Sequence, residues 1–242
     1  MTFKRKITIL SIISIGAVVL CSILTIILSY ILSYRYQLTS YEEVLISFAT
    51  NRWIHSAETM INLFMGVTLF PAFLGIFFFL REEIGGKIKP LLFFPLIATI
   101  IGALLVVGLY SLKFYLIFSV ATNYMAATNK EPILNYFLSL TRISDILSVI
   151  VYILVYTLGA GMTSILTIKT NAVKPNISWL GILTGVLALG KIGYFLENTA
   201  GYVLSFAASL GAIMYFIWLI YYFTLLINYR KEMQLFKEEP ME

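Results

Sequence analysis

Three residue types are nearly missing from this chain. Its 242 residues hold one histidine, His55, one cysteine, Cys21, and one aspartate, Asp145. A haem held by two histidines of one chain is excluded, as are zinc sites of Cys/His type and the HExxH metalloprotease pattern. An aspartyl dyad needs a second aspartate. A Ser-His-Asp triad would have to use His55 and Asp145, and no GxSxG elbow accompanies them. The phosphate-cradling GxxxxGK[ST] loop is absent, and a lone cysteine cannot form an internal disulfide. No catalytic or cofactor motif emerges, which leaves His55, Glu58 and Asp145 as the one set that could bind a metal or a cationic ligand or serve a lipid-modifying enzyme. Charge is scarce too. Charged residues make up 12% of the chain, about half the share in an average soluble domain, roughly 25%.

Apolar residues fill the space. They make up 60% of the chain, and mean hydropathy is +0.92. That composition rules out a soluble globular enzyme. Uncharged runs predict an all-α, polytopic transmembrane helical bundle with six spans, at about 7–32, 59–80, 90–112, 143–168, 177–196 and 201–226. Each is long enough for a bilayer core, which takes about 20 residues as helix. The first run, Ile7–Tyr34, follows Lys4, Arg5 and Lys6. A secretory signal has an apolar region of only about 7–15 residues, so a retained anchor helix is expected. Cys21 follows Val18-Val19-Leu20 and lacks the small residue of a lipoprotein cleavage site. No repeat or linker divides the chain, so 1–242 reads as one integral membrane domain.

Basic residues set the orientation. With the N-terminus inside, the inner segments hold Lys4, Arg5, Lys6, Arg81, Lys87, Lys89, Lys169, Lys174, Arg230, Lys231 and Lys237. The outer segments hold Arg35, Arg52, Lys113, Lys130, Arg142 and Lys191. Eleven against six favours both termini in the cytoplasm and a plasma-membrane location. The net charge of +5 is explained by these flanks, and no nucleic-acid partner is expected. The inner loops 81–89 and 169–176 are tight, marked by Gly85-Gly86, Asn171 and Pro175. In the first outer loop Ser40-x-x-Glu43 is a capping box, followed by Tyr41, Val44, Leu45 and Phe48 at helical spacing. This predicts a short helix lying in the outer interface, with Trp53 as an anchor. Pro132 fits a first helical turn, so the fourth helix is expected to start well before the membrane, with Ile133, Phe137 and Leu140 on one face.

Ionisable groups in a bilayer are the first place to look for function. None sits near a span centre. Glu58, Lys113, Asp145, Lys191 and Glu197 fall toward outer ends, with His55 and Arg142. A ligand-binding outer vestibule would combine His55, Glu58, Asp145 and Lys191. His55 and Glu58 are three apart and share a helical face. The plainer alternative places these charges in headgroups, paired with Arg142 or Lys191. Lys191 itself can snorkel to headgroups or pair with Glu197 or Asp145. Pro71, near the middle of the second span, leaves the Val67 carbonyl unpaired and predicts a kink, with Thr68 in partial compensation.

Small residues predict close helix packing: Gly181 and Gly185 as GxxxG on the fifth span, Gly201, Ser205 and Ser209 on the sixth, Ala98 and Gly102 on the third. Tyr215, Phe216, Trp218, Tyr221, Tyr222 and Phe223 read as an aromatic interface belt, with a cofactor box as the alternative. The tail from Arg230 to Glu242 is mixed in charge and expected to fray.

The segment Lys174-Pro175-x-x-x-Trp179-Leu180-Gly181, an inner loop leading into a small-residue helix and then an aromatic one, resembles a family of uncharacterised six-pass prokaryotic membrane proteins. The resemblance implies six helices and no known activity. The Ile-, Tyr- and Lys-rich, Cys-poor composition also suits a prokaryote. The function expected is a non-enzymatic, multi-pass component of carrier, permease-like or sensing kind. The alternative is a cofactor-free accessory subunit of a larger membrane complex. The expected partners are the lipid bilayer and other membrane subunits or a homo-oligomer.

Overall fold

A computed structural model describes residues 3–35, 40–196 and 198–235. The described residues are helical and contain no strand. The elements are α1 (Phe3–Arg35), α2 (Tyr41–Thr50), α3 (Arg52–Glu83), a 3-10 segment Gly86–Leu92, α4 (Phe93–Tyr115), a π segment Leu116–Val120 and α5 (Ala121–Ala126). They continue with α6 (Glu131–Val151), a second π segment Tyr152–Gly161, α7 (Met162–Thr170), α8 (Pro175–Ala188), a 3-10 segment Leu189–Phe195 and α9 (Thr199–Leu235). Where these abut they run on as single rods. Six are long and apolar enough to cross a membrane: Arg5–Ile31, Arg52–Glu83, Ile88–Ala126, Glu131–Thr170, Pro175–Phe195 and Thr199–Lys231. Each matches a span expected from the sequence. Helices satisfy their own backbone hydrogen bonds, which lipid cannot. The chain is an all-α, multi-pass membrane protein.

Local signals place the ends. Ser40 Oγ accepts from the Glu43 amide, and the Glu43 carboxylate accepts from the Ser40 amide, both at 3.2 Å. Pro132 stands in the first turn of α6. Asn171 (φ 53°) takes the left-handed conformation that ends α7, and Gly86 (φ +69°) takes it in the turn that opens the 3-10 segment after α3. Pro175 opens α8. Against the fraying expected from Arg230 onward, α9 stays helical through Leu235; the rest of that tail, 236–242, and the expected pairing with Glu197 fall outside the described residues.

The chain divides into two compact units. The first comprises Met1–Val19, Thr68–Ala103 and Val151–Glu242; the second comprises Leu20–Val67 and Leu104–Ile150. The first is built on backbone proximity. A Cβ on Gly185 would stand 3.1 Å from Gly161 Cα, and one on Gly190 would stand 2.2 Å from the Leu204 carbonyl oxygen. A Cβ on Gly181 would stand 2.6 Å from Trp218 Nε1. Gly201 packs on Gly193, and a Cβ on Gly193 would lie 3.1 Å from the Ser205 amide. Ser209, by contrast, is exposed and bonds back to the Ser205 carbonyl. The contact face of α9 continues instead through Ala208 and Gly211, one to two residues off the expected stripe.

The aromatic belt expected on α9 is corrected. Tyr215, Trp218 and Tyr222 are fully buried, on the stripe that Leu219 and Leu226 continue. Only Tyr221 of the inner-half tyrosines faces outward. α3 runs unbroken through Pro71. Ser11 Oγ, seated where Gly75 has no side chain, donates to the Pro71 carbonyl at 2.6 Å.

The second unit has its own apolar cluster. Leu45 and Phe48 of α2 pack with Leu116, Ile117, Val120, Ala121, Tyr124 and Phe137. The apolar face of α2 is thus buried against protein, where an interfacial helix would turn it to lipid. Trp53, at the start of α3, is 84% exposed.

Candidate functional site

The second unit concentrates buried polar groups at the start of α3. Asn51 caps α2 and starts α3, its carbonyl accepting from the His55 amide. This tight corner brings α2 against the side chain of His55. Nε2 of His55 lies 2.9 Å from Ser47 Oγ, and the ring meets Phe48 edge-on at 4.7 Å. The His55 carbonyl accepts from Thr59 Oγ1 at 2.6 Å. His55 is 5% exposed, yet its Nδ1 has no hydrogen-bond partner, and neither has the buried hydroxyl of Ser56. The two tautomers differ only in what is unmet. If Nε2 donates to Ser47, Nδ1 is a bare acceptor; if Ser47 donates, Nδ1–H is a bare donor. Buried polar atoms without partners are uncommon and mark places where a small ligand or water belongs.

One turn on, Glu58 pairs with Lys113 at 2.9 Å, with side chains 12% and 26% exposed respectively. The pairing follows from topology. The short connection makes α3 and α4 antiparallel neighbours, and Gly66 marks their approach, since a Cβ there would lie 2.7 Å from Val106. Glu58 lies eight residues before that point on α3 and Lys113 seven after it on α4, so they come level. The carboxylate's cation is Lys113, and not Arg142 or Lys191 as expected. Asn62 and Thr59 continue the buried polar face down α3. Around this group Arg52 donates to Thr122 Oγ1 at 2.6 Å and stacks over Phe118. The Tyr124 hydroxyl donates to Glu42, and Lys130 lies over the Tyr124 ring.

Of the four vestibule residues, the structure brings His55 and Glu58 into one cluster. Asp145 is half-buried on α6 of the same unit. Lys191 belongs to the other unit, in the 3-10 segment after α8. Its amine stands 3.5 Å from the ring centre of Tyr194 and 5.0 Å from that of Tyr152. Aromatic faces, a weaker but real cation partner, hold it. Among the described residues no three His, Cys, Asp or Glu side chains are grouped to hold a metal ion. Cys21 is buried and free.

The first unit carries a column of aromatic rings. Tyr152 stacks on Tyr156 at 4.6 Å, Tyr156 meets Tyr215 at 4.5 Å, and Trp218 touches Tyr215, Tyr222 and Phe73. Trp218 Nε1 donates to Ser164 Oγ at 3.0 Å, through the gap left by Gly181. A small apolar crevice lies beside the column, between Phe73, Phe77, Leu92, Leu96 and Thr163. Its only polar side chain is the Thr163 hydroxyl.

Sequence reading missed Ser47, Ser56, Lys113 as the ion-pair partner, and both π segments. Lys113 was legible in principle from the antiparallel register of α3 and α4. No known family profile matches the chain, and no characterised protein or solved structure shows significant similarity to it.

Proposed function

We propose that this protein is a non-enzymatic, ligand-handling component of the plasma membrane, of the small carrier, permease-like or sensing kind. Both termini lie in the cytoplasm, and no cofactor takes part. The single observation that supports this reading most is the buried polar group on α3, where His55 keeps an unpartnered Nδ1 beside the Glu58–Lys113 pair. Burying ionisable groups among membrane helices is costly, and such groups mark sites of ligand passage or recognition. The cluster mixes one imidazole, hydroxyls and a neutralised ion pair within an aromatic and aliphatic wall. That chemistry suits a small, weakly polar solute. The likeness to uncharacterised six-pass prokaryotic proteins belongs to the same proposal and adds no activity to it.

Native mass spectrometry of the full chain from nanodiscs tests the reading. The expected result is a small molecule retained by the wild type and lost from His55→Ala. Other subunits co-purifying at fixed stoichiometry, with no small molecule, would instead assign the chain as an accessory subunit.

A further inference from the structure

In the first unit, α1, α3 and α9 meet at one level. Ser11 occupies the space beside Gly75, and Leu226 lies 3.7 Å from the position of a Gly75 Cβ. From there Arg5 is six residues back along α1, Arg81 six forward on α3 and Arg230 four forward on α9. At about 1.5 Å per residue these displacements are roughly 6–9 Å, all toward the same end. Phe79 packs on Tyr229, whose hydroxyl donates to Glu82, so the ends of α3 and α9 stay together at that level. Arg230, half-buried, lies four residues beyond Leu226, on the helix face that Tyr222 and Leu226 share.

The Nε atoms of Arg5 and Arg230 are both buried from solvent and both without a hydrogen-bond partner. They come from opposite ends of the chain, so no local sequence effect pairs them. Arg230 stands five residues before the end of α9, outside its last turn, so no helix-terminus effect accounts for it, and its buried Nε–H is unmet. The surrounding charge is basic: Lys6, Arg81 and Lys231 are exposed at this end, against Glu82 and Glu83. Glu82 already receives the Tyr229 hydroxyl. A guanidinium presents Nε–H and Nη–H as a fork that fits two oxygens of one phosphate. The exposed apolar side chains of Leu10 and Ile13 lie one to two turns further up α1.

We propose that Arg5 and Arg230 form a site for a phosphate group at this end of the first unit, carried by an anionic lipid of the adjoining leaflet or free in solution. A lipid phosphate would sit at headgroup depth while its chains lie along the exposed face of α1. Basic groups at a membrane surface attract anionic lipids in this way.

The test uses the full chain in dodecyl maltoside, with phosphatidylglycerol and phosphatidylcholine of equal chain length as probes. Native mass spectra are expected to show a one-to-one phosphatidylglycerol adduct favoured about tenfold over phosphatidylcholine. Arg5→Gln and Arg230→Gln should each remove most of that preference, and Arg142→Gln, at an exposed position in the other unit, should leave it intact. Circular dichroism and size-exclusion profiles report whether each variant is folded. Millimolar inorganic phosphate distinguishes the sources. If it raises the melting temperature of the wild type and displaces the lipid, free phosphate fills the site; if it does neither, the lipid headgroup does. Equal retention of the two lipids by the wild type, with no effect of inorganic phosphate, would overturn the proposal. So would a preference untouched in both folded variants.

Discussion

Glu58 and Lys113 show how one membrane-end ion pair works at the level of single side chains. Each is mostly removed from solvent, at 12% and 26% side-chain exposure. Removing one partner leaves the other charged in a poorly solvated place, and that costs more than the pair contributes. Lys113→Met is therefore expected to destabilise the protein by about 1–2 kcal/mol, less than for a fully buried pair because both groups keep some water. The double variant Glu58→Gln/Lys113→Met should recover part of that loss. Unfolding by SDS titration in bicelles measures the cycle, and strictly additive single effects would show that the two groups are uncoupled. His55 and Glu58 were readable as neighbours on one helical face, because three-residue spacing is a local property. Ser47 was not readable as the partner of His55. It lies on another helix, and only the corner at Asn51 brings it within 2.9 Å.

Helices here are legible where their signals are local and opaque where packing decides. The uncharged runs, the Ser40–Glu43 box and the Pro132 start all gave the right elements, since hydropathy and capping act within a few residues. The π segments at Leu116–Val120 and Tyr152–Gly161 carry no such signal. The second ends on Gly159 and Gly161, where a Cβ would lie 2.4 Å from Thr99 Oγ1 and 3.3 Å from Gly185 Cα. The widened turn goes with backbones pressed together from distant parts of the chain. The 3-10 segment Leu189–Phe195 has the same origin, with Gly190 and Gly193 against the backbone of α9. Two glycine substitutions separate packing from propensity. Gly190→Ala would drive a methyl into the Leu204 carbonyl oxygen at 2.2 Å, a backbone atom that cannot turn aside. A loss of about 1–3 kcal/mol is expected, as for other overpacked cores. Gly108→Ala on α4 meets nothing within 4 Å, and should gain about 0.5–1 kcal/mol from helix propensity. Melting temperatures of the two variants moving in the same direction would contradict this division.

Across the whole molecule, threading is the property that everything about the polar cluster and the arginine site depends on. The proposed direction rests on the distribution of basic residues, eleven on one side against six on the other, and short connections between six apolar helices support the alternation. Cys21 makes this testable with little background. It is the only cysteine, is 6% exposed and lies inside the first span, so the wild-type protein should not react with a membrane-impermeant maleimide. Gly85 has open space around it in the connection after α3, and Thr128 is exposed between α5 and α6. In intact cells Thr128→Cys should be labelled within minutes, and Gly85→Cys only after the membrane is permeabilised. The reverse pattern would put both termini outside. The arginine site would then face the outer leaflet and the His55 cluster the cytoplasm, so its ligand would have to enter from within the cell. Labelling of both positions in intact cells would break the alternation, because an even number of crossings between residues 85 and 128 is incompatible with the single rod Ile88–Ala126.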